Sequence, residues 1–182
     1  MFKPEQRQII IDLETLSTRP NACIVSIGAV AFTIKDGITE EFIINIDAAS
    51  SKKFGLHLDP DTIDWWKKQS PEAIKSWQTN PVSLDKALHL FCDFYGPTSC
   101  PVWGNGSSFD ITIMESALYA IGWDKRDGVV KGSHLPWKFW DIYDLRTITN
   151  LFGVKVTKTQ VNHNALHDAI AEANTLLGIL RS

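Results

Sequence analysis

The sequence predicts an α/β fold in which a mixed five-stranded sheet, three antiparallel strands and then parallel ones, is flanked by helices on both faces. Two observations carry this. β-rich runs crowd residues 8 to 46, and strand and helix patterns alternate after that, an order that fits a mixed sheet covered on both sides. The run Ile9-Ile10-Ile11 is apolar at consecutive positions, as expected of a central strand buried on both faces rather than an edge strand with one solvated face.

Taken in order, the first strand ends at Asp12-Leu13-Glu14-Thr15, and Cys23 to Phe32 and Glu41 to Ile46 follow as β-rich runs with the turn signal Asp36-Gly37 between them. Asp59-Pro60 and Ser70-Pro71-Glu72 each pair an N-capping side chain with proline at the first helical position. Ser83 opens a third helix that must stop before Gly96-Pro97. Pro101 to Gly104 is a short strand entering a helix over Phe109 to Ile121, which Gly122 can end. Asp124 to Pro136 is polar and glycine-bearing and reads as a mobile loop, and Lys138 to Ile142 reads as the last strand. Leu166, Ala169, Ile170, Ala173, Leu176, Leu177 and Leu180 form the apolar stripe of a closing helix.

The 182 residues are read as one domain, residues 1–182, long enough for a substantial core. Cys23, Cys92 and Cys100 are odd in number and lack metal-site spacing, so free thiols in a reducing, cytoplasmic setting are expected. The N-terminus carries no secretory apolar region, and the apolar stretch Ala22 to Ile34 is short and holds Ser26 and Gly28, so no membrane partner is expected. A net charge of −3 argues against a long basic groove for nucleic acid.

Acids stand where a buried core has little use for them. Side chains alternate along a strand, so Asp12 and Glu14 share a face about 7 Å apart, a spacing that suits divalent cations and repels without them. Asp110 lies three residues after Ser107; with Ser107 as N-cap, the carboxylate completes a capping arrangement, and the same helix start can deliver it to a metal. His163 and Asp168 would face about 140° apart on one helix, but Asn164 as N-cap leaves His163 in the preceding loop and puts Asp168 in the first turn. His167 offers a rival reading, because His163 and His167 at a four-residue spacing can hold zinc on a helix that begins earlier. Trp65 and Trp66 are about 100° apart on a helix, so at most one is fully buried, and the other can pack or stack on an unpaired base.

Asp12-Leu13-Glu14-Thr15, Asn105 to Phe109-Asp110, and His163 to Asp168 resemble, in order and spacing, the three motifs of the DEDD superfamily of 3′–5′ exonucleases, a DnaQ-like group that includes polymerase proofreading exonucleases. Asn164 stands where the tyrosine branch needs Tyr, so the resemblance is to the histidine-bearing DEDDh branch. It is closest to small stand-alone phage and bacterial exonucleases, which carry segments similar to Pro20 to Ala29 and to Trp65-Trp66; His167 departs from the pattern.

The resemblance implies a ribonuclease-H-like fold and a nuclease that releases 5′-mononucleotides from single-stranded DNA or RNA 3′ ends, DNA favoured. It implies two Mg²⁺, for which Mn²⁺ can substitute, held by Asp12, Glu14, Asp110 and Asp168, with His163 taking the proton of the attacking water. Bound cations would reverse the field of the acids, which answers the objection from net charge. Thr15, Leu16 and Asn105 are implied contacts of the terminal nucleotide, with Trp65 and Trp66 beside them; Arg146 is as well suited to an exposed helix as to a phosphate. An RNA-directed exonuclease, a catalytically silent nucleic-acid-binding module on the same fold, and a homodimer are compatible with these motifs.

Overall fold

Ile9, Ile10 and Ile11 are fully buried, and their alternation divides the core in two: Ile9, Ile11 and Leu13 pack on one side of the sheet and Ile10 on the other. The computed structural model describes residues 2–123, 135–157 and 163–182. Within them β1 (Gln8–Thr15) lies at the centre of a sheet ordered β3-β2-β1-β4-β5. β2 (Ile24–Thr33) and β3 (Gly37–Asn45) continue it antiparallel, while β4 (Val102–Gly104) and β5 (Ile142–Asp144) add in parallel on the other flank. The mixed sheet is therefore as expected, and Asp12 and Glu14 sit on a central strand.

Local chemistry sets the helices. α1 (Ala48–Lys53) is capped by Asp47, α2 (Pro60–Trp66) by Asp59 and α3 (Pro71–Gln78) by Ser70, each side chain accepting from an amide of its helix's first turn. α4 (Leu84–Tyr95) begins after Ser83 and stops at Gly96. α5 (Ser107–Ala120) crosses from β4 towards β5, α6 (Leu145–Phe152) follows β5 directly, and α7 (Ala165–Leu180) lies across β1, β2 and β3.

Several boundaries differ from the sequence reading. β3 begins at Gly37, because Gly37 and Ile38 already pair with Thr33 and Phe32. Phe139–Asp141 is a 3-10 turn closed by the Asp141 amide on the Lys138 carbonyl, so the last strand starts at Ile142, where pairing with Val102 begins. α5 starts at Ser107 after Gly106, whose positive φ of 106° makes it, rather than Ser107, the capping residue. α1 has no counterpart in the sequence reading, and α6 contains Arg146, the residue suited to an exposed helix. The predicted loop Asp124 to Pro136 falls, but for its last two residues, outside the described residues.

One close approach positions α7. Gly28 of β2 is paired with Asp12 of β1, and a Cβ built on Gly28 would lie 2.1 Å from the carbonyl carbon and oxygen of Ala165 and 2.4 Å from the Leu166 amide. The first turn of α7 therefore rests on bare backbone beside Asp12. Backbone atoms cannot rotate aside, so Gly28→Ala should destabilise the protein by about 1–3 kcal/mol or more through overpacking. Urea denaturation of the variant checks this, and an unchanged midpoint would show that α7 can lift without cost.

Candidate active site

Because Asp12 and Glu14 share a face with Ile10, they point to the side covered by α7. That helix supplies the third acid. The Asn164 side chain accepts from the His167 amide and its carbonyl from the Asp168 amide at 2.9 Å, which fixes Asp168 in the first turn. One carboxylate oxygen each from Asp12, Glu14 and Asp168 lies within 4.8 Å of the others. Asp110 arrives from α5. β4 pairs with β1 only at Ile9 and Ile10, so the Leu13 amide lies beyond that ladder, and Asp110 Oδ1 accepts from it at 3.2 Å. The start of α5 is fastened by Asp144, which accepts from the Gly106 and Ser107 amides at 3.0 and 2.7 Å and also caps α6 through the Thr147 amide.

A fifth acid, Glu172, is buried one helical turn beyond Asp168 and carries a hydrogen bond from the Asn105 side chain. Its position was available in the sequence: Glu172 is an acid four residues after Asp168, between apolar Ala169 and Ala173. No motif marks it.

Burial and mutual repulsion shift these groups together. Burial, then Glu172, Asp110, Glu14 and Asp168, raises the Asp12 carboxyl well above its ordinary range. Burial, then Asp168 and Asp110, lifts Glu14 to about 8. Burial lifts Asp110 to about 7 against the opposing hydrogen bond from Leu13 and the pull of Arg146, and it lifts Glu172 to about 8 against the hydrogen bond from Asn105. Converging carboxylate oxygens that destabilise one another are the donor set a hard divalent cation takes, so the residues fit such an ion.

His163 lies just ahead of the Asn164 cap, in a left-handed backbone conformation with φ of 62°. Its ring meets the Trp65 ring edge-on at 4.9 Å and the Trp66 ring at 5.9 Å, and its carbonyl accepts from Ser76 Oγ at 3.4 Å. It is therefore outside the helix, as expected. His167 is exposed on α7, and the metal-capable cluster among the described residues contains acids and no histidine, so the zinc pairing of His163 with His167 finds no support.

Beside the acids opens a cleft of about 490 Å³ whose walls include Glu14, Thr15, Thr18, Trp65 and Phe109. Trp65 is 42% exposed there; Trp66 is buried and donates its Nε1 proton to the Thr15 carbonyl at 2.9 Å. Leu16 is buried in the core, with its amide on the Cys23 carbonyl and its own carbonyl on the Asp59 amide, and does not line the cleft. Asn105 is half-buried, its side chain engaged by Glu172 and its carbonyl by Arg146 at 2.7 Å. Phe109, unremarked in the sequence except as part of a motif, forms a wall instead.

The family model described as 3′-5′ exoribonuclease Rv2179c-like domain matches residues 7–180. The exodeoxyribonuclease of Enterobacteria phage T4 is 29% identical over 158 residues, which cover 76% of this chain and 68% of that protein. Escherichia coli exonuclease I in complex with a 5cy-dT13 oligonucleotide is similar with a TM-score of 0.65 at 12% identity, over 97% of this chain and 41% of that one. The zinc-ion-bound form of the E. coli exonuclease I–ssDNA complex is similar with a TM-score of 0.60 at 13% identity, over 97% and 40%. The chain thus spans about two fifths of exonuclease I, and at such identities the likeness is one of fold, the ribonuclease-H-like sheet.

The acids also make stability depend on pH and metal. Folded Glu14, Asp110 and Glu172 keep protons that the unfolded chain releases near ordinary carboxyl values, so the stability they contribute is complete below about pH 4 and is lost as pH rises through about 7 to 8. In EDTA the protein should melt lower at about pH 8.5 than at about pH 5.5, and Mn²⁺ or Mg²⁺ should restore more at the higher pH by binding the folded state alone. Asp12→Ala should shrink the metal effect. Melts that ignore both metals would remove the cation from this site.

Proposed function

Since this chain belongs to the Rv2179c-like 3′–5′ exoribonuclease domain family and is a 3′–5′ exonuclease, we propose that it shortens single-stranded nucleic acid one 5′-mononucleotide at a time from a free 3′ end, with DNA the favoured substrate. The observation that carries this reading is the convergence of Asp12, Glu14 and Asp168 within 4.8 Å at the edge of a cleft walled by Trp65 and Phe109. The phage exodeoxyribonuclease supports DNA. The family's own description favours a second reading, in which RNA 3′ ends are degraded.

Asp12, Glu14, Asp110 and Asp168 would hold two divalent cations, Mg²⁺ or Mn²⁺, which when bound supply charge stabilisation for the attacking and leaving oxygens of an in-line displacement. The zinc-bound form of exonuclease I supports a divalent cation in this fold. The chain's own residues orient and exclude. Trp65 offers an exposed aromatic face to a terminal base, and Phe109 is another wall of the same cleft. Trp66 holds the Thr15 carbonyl and so fixes the backbone beside Glu14. His163, steadied by Trp65, Trp66 and Ser76, accepts the proton of the attacking water.

A general base acts mainly in the transition state, so His163→Ala should lower kcat by about 10²-fold or more with little change in KM. His167→Ala should cost far less. Trp65→Ala should weaken binding of single strands by about 1–3 kcal/mol, the worth of one stacked base. Labelled single-stranded DNA and RNA of one sequence, each with a free or blocked 3′ end, should be digested with Mg²⁺ or Mn²⁺ and not with EDTA. A 5′-labelled strand should give a ladder shortened by single nucleotides, and the DNA-to-RNA rate ratio separates the two readings. Rapid cutting of a circular single strand would overturn the direction and the end requirement together.

A further inference from the structure

Glu172 has no structural justification as an acid. It is 3% exposed, between fully buried Ala169 and Ala173, and its Oε2 is buried without a hydrogen-bond partner. Burying a carboxyl with an unsatisfied oxygen costs stability. The tether to the Asn105 side chain does not require the charge, because a glutamine carbonyl would accept the same bond. Glutamate at this position supplies what glutamine cannot, a negative charge directed at the other acids.

The helix aims it there. Asp168 and Glu172 are four residues apart on α7 and share the face that lies on the sheet. Of the neighbouring charges that act on Asp12, Glu172 is the strongest, ahead of Asp110, Glu14 and Asp168. Glu172 in turn feels Asp110 and Asp168, with Arg146 as a counterweight. Like Asp12, Asp110 and Asp168, it is not among the walls of the cleft, which Glu14 alone of the five acids lines.

Building on the divalent-cation reading above, we infer that Glu172 is a fifth acid of the centre, a positioning residue that strengthens cation binding by Asp12 and its neighbours without touching substrate. Its charge deepens the negative field at the carboxylates. Residues behind metal-binding side chains commonly change metal affinity by about 10- to 100-fold when altered.

Titration of the metal-free full-length chain with Mn²⁺ at about pH 8.5, where Glu172 carries its charge, read by calorimetry, tests this without reference to turnover. Glu172→Gln should weaken Mn²⁺ binding by about tenfold, while its metal-free melting temperature at about pH 8.5 rises, because one repelling charge is gone. Glu172→Asp keeps the charge and should bind Mn²⁺ more tightly than the Gln variant. If Glu172→Gln does not fold, Glu172→Met, which puts no unsatisfied polar atom there, takes its place with the same expected loss. Wild-type Mn²⁺ affinity in the Gln or Met variant, or an Asp variant as weak as Gln, overturns the role of the charge. Asp12→Asn is run alongside: if it too binds Mn²⁺ like the wild type, the acid centre itself is misassigned.

Discussion

The whole acid centre depends on how closely the α7 backbone can lie against the sheet, and Gly28 sets that distance. Ala165 rests where a side chain on β2 would otherwise stand, directly beside Asp12 across the strand pair. Three residues later on the helix comes Asp168, and one turn beyond that Glu172. A lifted α7 would separate Asp168 and Glu172 from β1 together, because both ride on one rigid helix. Repulsion among the buried carboxylates opposes this approach, so apolar packing of Ile10, Val30, Phe32, Ala169, Ala173 and Leu176 must hold the helix down. The same sheet face is thus glue at its middle and a source of strain at its end.

A second set of contacts acts from the opposite side. The β1 register slips between Glu14 and Thr15, and just there Trp66 of α2 binds the Thr15 carbonyl while Trp65 and Trp66 both meet His163. Trp66 packs on Trp77 of α3, and Ser76 of α3 bonds the His163 carbonyl. These two short helices therefore link a strand end to the loop before α7. Neither is long enough to be stable alone; the buried indole between them gives the link its stiffness.

The sequence revealed those parts of the centre that are written as local pattern. Three consecutive isoleucines identify a central strand, alternation puts Asp12 and Glu14 on one face, and Asn164 separates a loop histidine from a first-turn aspartate. What it hid depends on contacts between distant segments. Nothing near Asn105 says that its side chain meets Glu172, 67 positions away by their residue numbers. Likewise the first amides of α5 are met by Asp144 on another strand, so the local pattern points to Ser107 where Gly106 is the capping position. Leu16 follows the first motif in sequence but turns into the core, because its backbone is tied to Cys23 and Asp59. The final strand was displaced by a 3-10 turn that Asp141 completes while also accepting from Ser99, a contact with no short-range signature.

The sign of the charge explains how a chain of net charge −3 can work on a polyanion. The acids are gathered at one end of the sheet, three of them mutually within 4.8 Å, and a phosphate approaching them uncompensated would be repelled. The cleft next to them offers Trp65 and Phe109, and an aromatic ring attracts a base through its face regardless of charge. In the function proposed above, binding energy from the base and electrostatic compensation from cations come from separate parts of the surface. Such a division makes affinity for a strand depend on metal occupancy at the phosphate and on aromatic stacking one step away, and it leaves little need for a basic groove. It would also confine useful binding to a short stretch of chain beside the acids, the geometry an enzyme that consumes ends requires.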